Sequence, residues 1–253
     1  MTVHAEPPRG ANSVLRFTTT KQKLRKLLEM CSIDQELDVV WWKYGEDGIA
    51  QKQTDPSMTI AVAAKINKSY FNEYAASEGE AKIPSTIYDV VKKYFKESDA
   101  ISFNIEDTKL TMRGRDEVYE CNLLETELST FEGEVEECDF GLLPPLDAEV
   151  KGVYEVDAEE FSVKADEIRI HYGDRLKLTI VLEEGGVYSR YARVIEKRDV
   201  RGEGSVLLDG KTLKTVIDLF VGPVYLVMTD GPVIVTQKTS DYAVAYAIAP
   251  RVE

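Results

Sequence analysis

The two histidines of this chain are the side chains best suited to proton transfer near neutral pH, yet neither lies in a catalytic pattern. His4 belongs to a stretch rich in proline and glycine, and His171 lies in a predicted strand. We interpret His171 as a structural strand residue rather than a general base. No cysteine, histidine or aspartate cluster has metal-ligand spacing. No glycine-rich loop follows a strand and opens a helix, as phosphate-binding loops do.

Carboxylates are abundant, because the chain has 45 aspartates and glutamates. Pairs of them therefore say little about general acid and base catalysis, and solvation of acidic surface runs explains most of them. We predict no catalytic residue, no metal site and no cofactor. A small hydrolase with carboxylate catalysis on a two-domain α+β fold would be the enzymatic interpretation of these residues. The size of the protein in solution tests this interpretation, because such a hydrolase does not need to assemble with other subunits.

The net charge of −14 argues against a nucleic-acid partner, because phosphate contacts need lysine and arginine. The distribution of charge indicates something different. Residues 116–139 contain acidic residues and no basic one, whereas Lys21, Lys23, Arg25 and Lys26 stand close together against Glu29. A basic helix in an acidic protein predicts a local positive surface that the net charge hides. A solvated helix face is the alternative interpretation of the same pattern.

A chain of 253 residues has room for two domains, and 43% hydrophobic residues suffice for a packed core. No apolar run approaches the roughly 20 residues that span a bilayer, and residues 1–10 lack a stretch of signal-peptide length. We therefore expect a soluble, intracellular protein with no membrane partner. The odd number of cysteines, at positions 31, 121 and 138, makes a disulfide framework improbable.

The elements that would position functional side chains form a repeat. Four segments have the i, i+3, i+4, i+7 spacing that lines one face of a helix. They are Leu24/Leu27/Leu28/Cys31, Ile87/Val90/Val91/Tyr94, Phe161/Lys164/Ala165/Ile168 and Leu213/Val216/Ile217/Phe220. Between them, apolar and polar residues alternate as in half-buried antiparallel strands. The two halves agree element by element, so we predict a duplicated unit with two short helices in each copy.

The predicted boundaries follow from composition. Residues 1–12 form a flexible extension, 13–123 the first domain, 124–146 a linker and 147–253 the second domain. The linker is acidic, carries glycines and prolines, and crosses the surface. Predicted helix caps are Thr18 to Thr20, Ser85, Asp157 and Asp209. Trp41 and Trp42 must point to opposite faces of a strand, one into the core and the other toward a helix or a rim.

The C-terminal residues resemble a known family. Asp230–Val235, followed by Tyr246-Ala247-Ile248-Ala249-Pro250-Arg251, is similar to the end of sliding clamps of the proliferating cell nuclear antigen (PCNA) type, whose last strand precedes Ala-Pro-Lys/Arg. Asp47-Gly48-Ile49, Asp55-Pro56-Ser57-Met58 and Ser69–Tyr74 follow the order of archaeal members. The match covers about residues 13–253. It implies a DNA clamp fold, which is α+β with two similar domains of antiparallel sheets, assembling into a three-subunit ring.

The resemblance also implies functional residues. Helices lining the central hole would contact duplex DNA nonspecifically through Lys21, Lys23, Arg25, Lys26, Lys92, Lys93, Lys96, Lys211 and Lys214. The linker and tail would bind client peptides through Met58, Phe140, Leu142, Leu143, Pro144, Pro232, Ala247, Ile248, Ala249 and Pro250. Subunits would pair strand 109–119 with strand 175–182 through Lys109, Thr111, Tyr119, Arg175, Leu176, Leu178 and Ile180.

Expected partners are DNA polymerase, clamp loader, flap nuclease and DNA ligase, each through a short peptide, together with other clamp subunits. Such a processivity factor works in the cytoplasm of an archaeon, near the nucleoid, or in a eukaryotic nucleus. Three departures from the family pattern are an acidic third helix, Ala247 in place of an aromatic residue, and the N-terminal extension. They leave open a specialised paralogue or one subunit of a heterotrimer.

Overall fold

The computed structural model describes residues 13–145, 148–182 and 185–251, so the predicted extension lies outside the described residues. The first half contains β1 (Val14–Thr20), α1 (Lys21–Ser32), β2 (Val39–Gly45), β3 (Gly48–Thr54), β4 (Ile60–Asn67), β5 (Glu73–Ala76), β6 (Gly79–Pro84), α2 (Ile87–Tyr94), β7 (Ala100–Glu106), β8 (Lys109–Arg113) and β9 (Val118–Asn122). A small hairpin of β10 (Glu136–Glu137) and β11 (Leu142–Leu143) lies within the linker.

The second half contains β12 (Val150–Asp157), β13 (Glu167–Tyr172), β14 (Lys177–Val181), β15 (Val187–Tyr191), β16 (Val194–Arg198), β17 (Gly204–Asp209), α3 (Gly210–Asp218), β18 (Pro223–Thr229), β19 (Val233–Lys238) and β20 (Tyr242–Ile248). Two 3-10 turns, Lys68–Tyr70 and Ala158–Glu160, complete the described elements. The sequence of residues 69–76 predicts a short helical turn, and the structure instead has the 3-10 turn Lys68–Tyr70 followed by β5.

All strand pairs are antiparallel. A five-stranded sheet has the order β5-β1-β7-β8-β9, and a four-stranded sheet has the order β15-β14-β13-β17. A nine-stranded sheet, β16-β12-β18-β19-β20-β4-β3-β2-β6, runs through both halves. The halves join where β20 pairs with β4, from Tyr242 opposite Ile66 to Ile248 opposite Ile60. The backbone hydrogen bonds of this junction make the two domains one continuous sheet.

The strand orders confirm the predicted duplication. The series β1-β7-β8-β9 in the first half corresponds to β12-β18-β19-β20 in the second. The series β4-β3-β2-β6 likewise corresponds to β15-β14-β13-β17. β9 is therefore the counterpart of β20, and β15 is the counterpart of β4. The described residues contain three α-helices on this scaffold: α1, α2 and α3.

The helix stripes pack against the sheets as predicted. Leu24, Leu27, Leu28 and Cys31 of α1 are fully buried, and each buried leucine contributes about 1.5–3 kcal/mol to folding. The Thr20 hydroxyl accepts a hydrogen bond from the backbone N–H of Lys23, and Asp209 caps α3 in the same way. The structure places the N-cap of α2 at Thr86 rather than at Ser85, with no side-chain capping bond.

The prediction of a third helix after Asp157 is wrong. The Asp157 side chain caps only a single 3-10 turn, Ala158–Glu160, by accepting from the Glu159 N–H. Phe161, Ala165 and Ile168 are buried as the stripe requires, but they lie on a loop and on β13. Asp166 donates to the Val181 carbonyl and accepts from the Gly210 N–H. Because these strand-like bonds satisfy the backbone, the segment avoids the cost of nucleating another short helix.

Candidate functional surfaces

Two lysines predicted to reach DNA are structural. Lys21 is only 6% exposed and forms an ion pair of 3.0 Å with Glu97. The Lys26 ammonium donates a hydrogen bond to the Leu219 carbonyl at the end of α3. Burial lowers the pKa of Lys26. Both cations stabilise the fold around α1, and neither side chain extends freely from the surface.

Lys23 and Arg25 are half-buried in contacts with neighbouring aromatic residues. The Lys23 Nζ donates to the Tyr70 carbonyl at 2.8 Å and lies 5.1 Å from the centre of its ring. Arg25 contacts the Tyr88 hydroxyl at 3.3 Å and the Glu29 carboxylate at 3.5 Å. The contacts of Arg25 with α2 and of Lys26 with the end of α3 place the three helices side by side.

The exposed cations lie on α2 and α3. Lys92, Lys93, Lys96 and Lys211 are exposed. Lys96 forms a 2.8 Å ion pair with Asp116, and Lys214 pairs with Asp218 along α3. Lys92 lies 5.6 Å from the centre of the Tyr88 ring and retains an exposed ammonium. Lys92 and Lys93 are therefore the exposed cations of α2, whereas Lys21 and Lys26 are engaged within the fold.

Acidic residues border this face. Where α1, α2 and α3 meet, burial and the carboxylates of Glu29 and Asp218 raise the pKa of Asp34, opposed by Lys92. The Ser162 hydroxyl donates to Asp218 at 2.5 Å, which attaches the acidic segment 157–167 to the end of α3. The basic potential is consequently concentrated on α1 and α2, and the second half contributes little.

The predicted peptide-binding residues divide into two groups. Phe140, Leu142, Leu143 and Ala247 belong to one apolar cluster on the outer face of the nine-stranded sheet. The Leu142 N–H donates to the Thr236 hydroxyl at 3.0 Å, which pins the hairpin there. Buried Pro144 follows this hairpin directly.

The second group lies at the end of β20. Met58 is 75% exposed at the tip of a loop that Asp55 braces through bonds to Ser57, Thr59 and Ile60. The Ala249 N–H donates to the Thr59 carbonyl, so half-buried Ala249 and exposed Pro250 lie beside Met58.

Two predicted residues of this set lie apart. Ile248 is 1% exposed and belongs to the main core between sheets and helices, so a peptide cannot reach its side chain. Half-buried Pro232 lies in the β18–β19 turn, where its carbonyl accepts from the Thr229 hydroxyl. The sequence interpretation also missed Phe131 and Val135, which pack on the outer-face cluster. Their signal was present, as isolated apolar residues in an otherwise acidic run.

The predicted subunit-contact strands need correction. β14 lies between β13 and β15, and β8 lies between β7 and β9, so both have all their backbone partners within the chain. Leu176, Leu178 and Ile180 are core residues at 1% exposure or less. Lys109 and Thr111 lie on the internal strand β8, and exposed Arg175 precedes β14 with its guanidinium over the Tyr191 ring. Of the predicted contacts, Tyr119 alone lies on a sheet edge.

β9 and β15 each lie at one edge of a sheet, and both display apolar side chains. Val118 on β9 is 62% exposed, and Val187, Tyr188 and Tyr191 on β15 are 64%, 43% and 61% exposed. Soluble proteins protect such edges with charges, prolines or a partner strand. The exposed backbone and side chains of β9 and β15 therefore indicate strand-to-strand association.

Within residues 13–145, 148–182 and 185–251, no cluster of three histidines, cysteines or carboxylates has an arrangement that could hold a metal ion. In those same residues no helix has the length and apolarity needed to cross a membrane. The three cysteines are free thiols, and burial raises the pKa of Cys31 to about 12.

Comparison with known structures identifies the architecture. A PCNA from A. fulgidus, solved with the C-terminal region of FEN-1, superposes with a TM-score of 0.78 at 16% identity, covering 94% of this chain and 99% of that one. PCNA from Entamoeba histolytica gives a TM-score of 0.75 at 15% identity, covering 95% and 99% of the two chains. The chain has the sliding-clamp fold.

A third clamp structure, the PCNA2–PCNA3 complex from Sulfolobus tokodaii, gives a TM-score of 0.71 at 16% identity over 94% of this chain and 100% of that one. No protein-family model matches the sequence, and no curated protein sequence does either. This chain therefore has the sliding-clamp fold although few of its residues are identical to those of the three clamps. The predicted α+β architecture of two similar domains is confirmed.

Proposed function

We propose that this protein is a DNA sliding clamp, a non-enzymatic ring that tethers replication and repair enzymes to duplex DNA. The observation that carries the proposal is the sliding-clamp fold along nearly the whole chain, with two complementary edge strands left open. Within the chain, β20 already pairs with β4. Because β9 and β15 are the counterparts of these strands, β9 of one subunit pairs in the same way with β15 of the next.

The register of that contact follows from the duplication. Tyr119 occupies in β9 the position of Tyr246 in β20, and Tyr188 occupies in β15 the position of Val62 in β4. Tyr246 lies opposite Val62 within the chain. Tyr119 therefore lies opposite Tyr188 of the next subunit, and Val118 lies opposite Ser189. The contact joins a five-stranded and a four-stranded sheet into nine strands, the same number as in the internal sheet.

DNA occupies the side of the ring that the helices line. A closed ring retains DNA by topology, so a few weak phosphate contacts suffice and permit sliding. Exposed Lys92 and Lys93 supply such contacts, assisted by the half-buried cations of α1. The acidic exterior repels DNA from the outer wall.

Client enzymes dock beside Met58 and the tail. The A. fulgidus PCNA that this chain resembles is bound to the C-terminal region of FEN-1. By analogy, short segments of a polymerase, clamp loader, flap nuclease or ligase bind here. The exposed Met58 side chain and the apolar outer-face cluster offer the hydrophobic contacts that such peptides use. The protein acts where chromosomal DNA is, in the cytoplasm of an archaeon or in a eukaryotic nucleus.

A second candidate is one subunit of a heteromeric clamp. Segment 157–167, predicted as the third helix, is acidic, and Lys21, Lys96 and Lys214 are paired with carboxylates of the same chain. A ring of three such subunits has a weakly basic hole. Neighbouring subunits with more basic helices compensate for this, and the PCNA2–PCNA3 complex is a precedent for mixed clamps.

Primer extension on circular single-stranded DNA with a clamp loader and polymerase tests the proposal. We expect the wild type, alone or with its partner subunits, to lengthen the products synthesised per binding event. Lys92→Glu with Lys93→Glu should reduce this stimulation about tenfold and leave the oligomer unchanged in light scattering. Lys197→Glu, an exposed charge reversal on β16, is the control. Absence of stimulation by any assembly of the wild-type chain contradicts the clamp function.

A further inference from the structure

A cavity of about 480 Å³ lies between the linker and the outer face of the nine-stranded sheet. Ala50 and Ala63 form its floor, and Phe131, Val135 and Leu142 of the linker form its roof. Trp41 of β2 closes one side. The volume falls within the range of small-molecule sites in proteins, roughly 300–1,000 Å³. The cavity shares Leu142, Ala63, Phe131 and Val135 with the outer-face cluster, whereas Met58 and the tail do not line it.

The cavity exists because the linker is held above small side chains. The Thr130 hydroxyl donates to the Lys52 carbonyl at 3.0 Å, and Lys65 pairs with Glu137 at 2.7 Å. Between these two anchors, exposed Ala50 on β3 and buried Ala63 on β4 line the space with short side chains. Polar anchors at both sides thus keep an apolar space open.

Cations surround the aromatic walls of this space. The Lys43 and Lys82 ammonium groups lie 5.3 Å and 5.4 Å from the centre of the Trp41 ring. Lys52 lies 4.7 Å from the centre of the Phe131 ring. Among the described residues, Lys43 forms no ion pair, although the chain has a net charge of −14. An apolar chamber with ammonium groups at its mouth is complementary to a molecule with an apolar body and an anionic end.

We propose that this cavity binds a small amphipathic carboxylate, an aromatic or medium-length alkyl acid. Its apolar body lies over Ala50 and Ala63 beneath Phe131 and Val135. Its carboxylate lies at the mouth, beside Lys43 and Lys52. Burying a carboxylate without a cation is costly, so the lysines determine that an acid is preferred over the matching alcohol.

The dye 8-anilinonaphthalene-1-sulfonate is a direct probe, because it combines aromatic rings with an anion. We expect one saturable site on the folded wild-type protein, with energy transfer from a tryptophan to the dye. Trp41→Phe should lower this transfer without abolishing it while saturable binding remains, because adjacent Trp42 is also within transfer distance. Dodecanoate should displace the dye at a concentration about tenfold lower than dodecanol does.

Two variants test the site itself. Lys43→Glu should weaken dye binding about tenfold, and Ala50→Phe, which fills the chamber from an exposed position, should abolish it. Lys109→Glu is the charge-matched control on another sheet and should bind as the wild type does. Thermal unfolding of each variant identifies any loss of folding.

The proposal is overturned if folded Lys43→Glu binds normally, if dodecanol competes as well as dodecanoate, or if the dye binds many weak sites. The measurements use the chain without DNA, loader or client. Failure of the clamp proposal in primer extension therefore leaves these results intact, and the reverse also holds.

Discussion

The ammonium group of Lys26 on α1 donates a hydrogen bond to the carbonyl oxygen of Leu219, the residue that ends α3. The two residues are 193 positions apart in sequence. The last carbonyls of a helix lack partners within it and carry partial negative charge, so a cation there is favourable. This bond ties the helical faces of the two domains together at the centre of the subunit.

Lys26→Met is expected to lower the free energy of unfolding by about 1–2 kcal/mol, because the half-buried carbonyl of Leu219 loses its donor. Urea unfolding followed by circular dichroism measures the change. Lys93→Met, on the exposed face of α2, is the control and should leave stability within about 0.5 kcal/mol of the wild type. Equal stability of the two variants would mean that Lys26 does not join the domains.

A disulfide tests the register of the proposed ring contact. Val118→Cys combined with Ser189→Cys places two thiols directly opposite each other on neighbouring subunits. Oxidation should yield covalent oligomers in non-reducing electrophoresis. The control pair, Val118→Cys with Tyr188→Cys, shifts one thiol by a single residue to the other face of the sheet and should not cross-link. Efficient linkage in the control pair alone would refute the register.

Assembly itself should depend on the apolar edge. Tyr188→Asp on β15 is expected to convert rings into monomers, because it places a charge inside the strand contact. Ile195→Asp is the matched control, since Ile195 is 51% exposed on β16, which is the edge of another sheet. Analytical ultracentrifugation separates the species. If both variants sediment as the wild type does, the subunits associate through another surface.

Met58→Glu should weaken a clamp-binding peptide about tenfold or more, because exposed apolar residues at the centre of a contact contribute about 1–3 kcal/mol. The substitution leaves the fold intact, since Met58 is 75% exposed. Val221→Glu, at an 83% exposed position after α3, is the control. Calorimetry with the peptide measures both affinities. Unchanged affinity for Met58→Glu would place the peptide elsewhere on the ring.

His171 should titrate below its usual range. Burial and the charges of Lys177 and Arg169 lower the pKa of His171 from 6.5, and its Nε2 lies 3.3 Å from the Thr179 hydroxyl. A folded pKa below the unfolded one means that the unfolded chain binds more protons, so stability falls as pH falls through this window.

An NMR titration of the two histidine rings, assigned with His171→Gln, should therefore give His171 a midpoint below 6.5. The same variant should unfold with less dependence on pH below 6.5. A His171 midpoint at or above 6.5 would contradict the positive environment assigned to this strand.

Local pattern was enough to predict much of this protein. The stripe of Leu24, Leu27 and Leu28 predicted α1, and Thr20 and Asp209 cap helices as expected. The alternation of apolar and polar residues located most strands, and the repeated order of elements predicted the duplication. The tail around Pro250 pointed to the clamp fold. These features depend on residues close together in sequence, which is where periodicity and capping operate.

Only the tertiary structure decided the rest. Which strand lies at the edge of a sheet depends on pairings between distant segments. The sequence therefore did not show that β15, rather than β14, is an edge strand. Segment 157–167 has a helical stripe, yet it forms only a 3-10 turn, and the backbone of Asp166 bonds to Val181 and Gly210. Lys26 is a lysine on a basic helix and was predicted to contact DNA, but its ammonium group binds the Leu219 carbonyl. The chamber above Ala63 arises because distant lysines anchor the linker over small side chains. Spatial neighbours, rather than residue type, determine each of these outcomes.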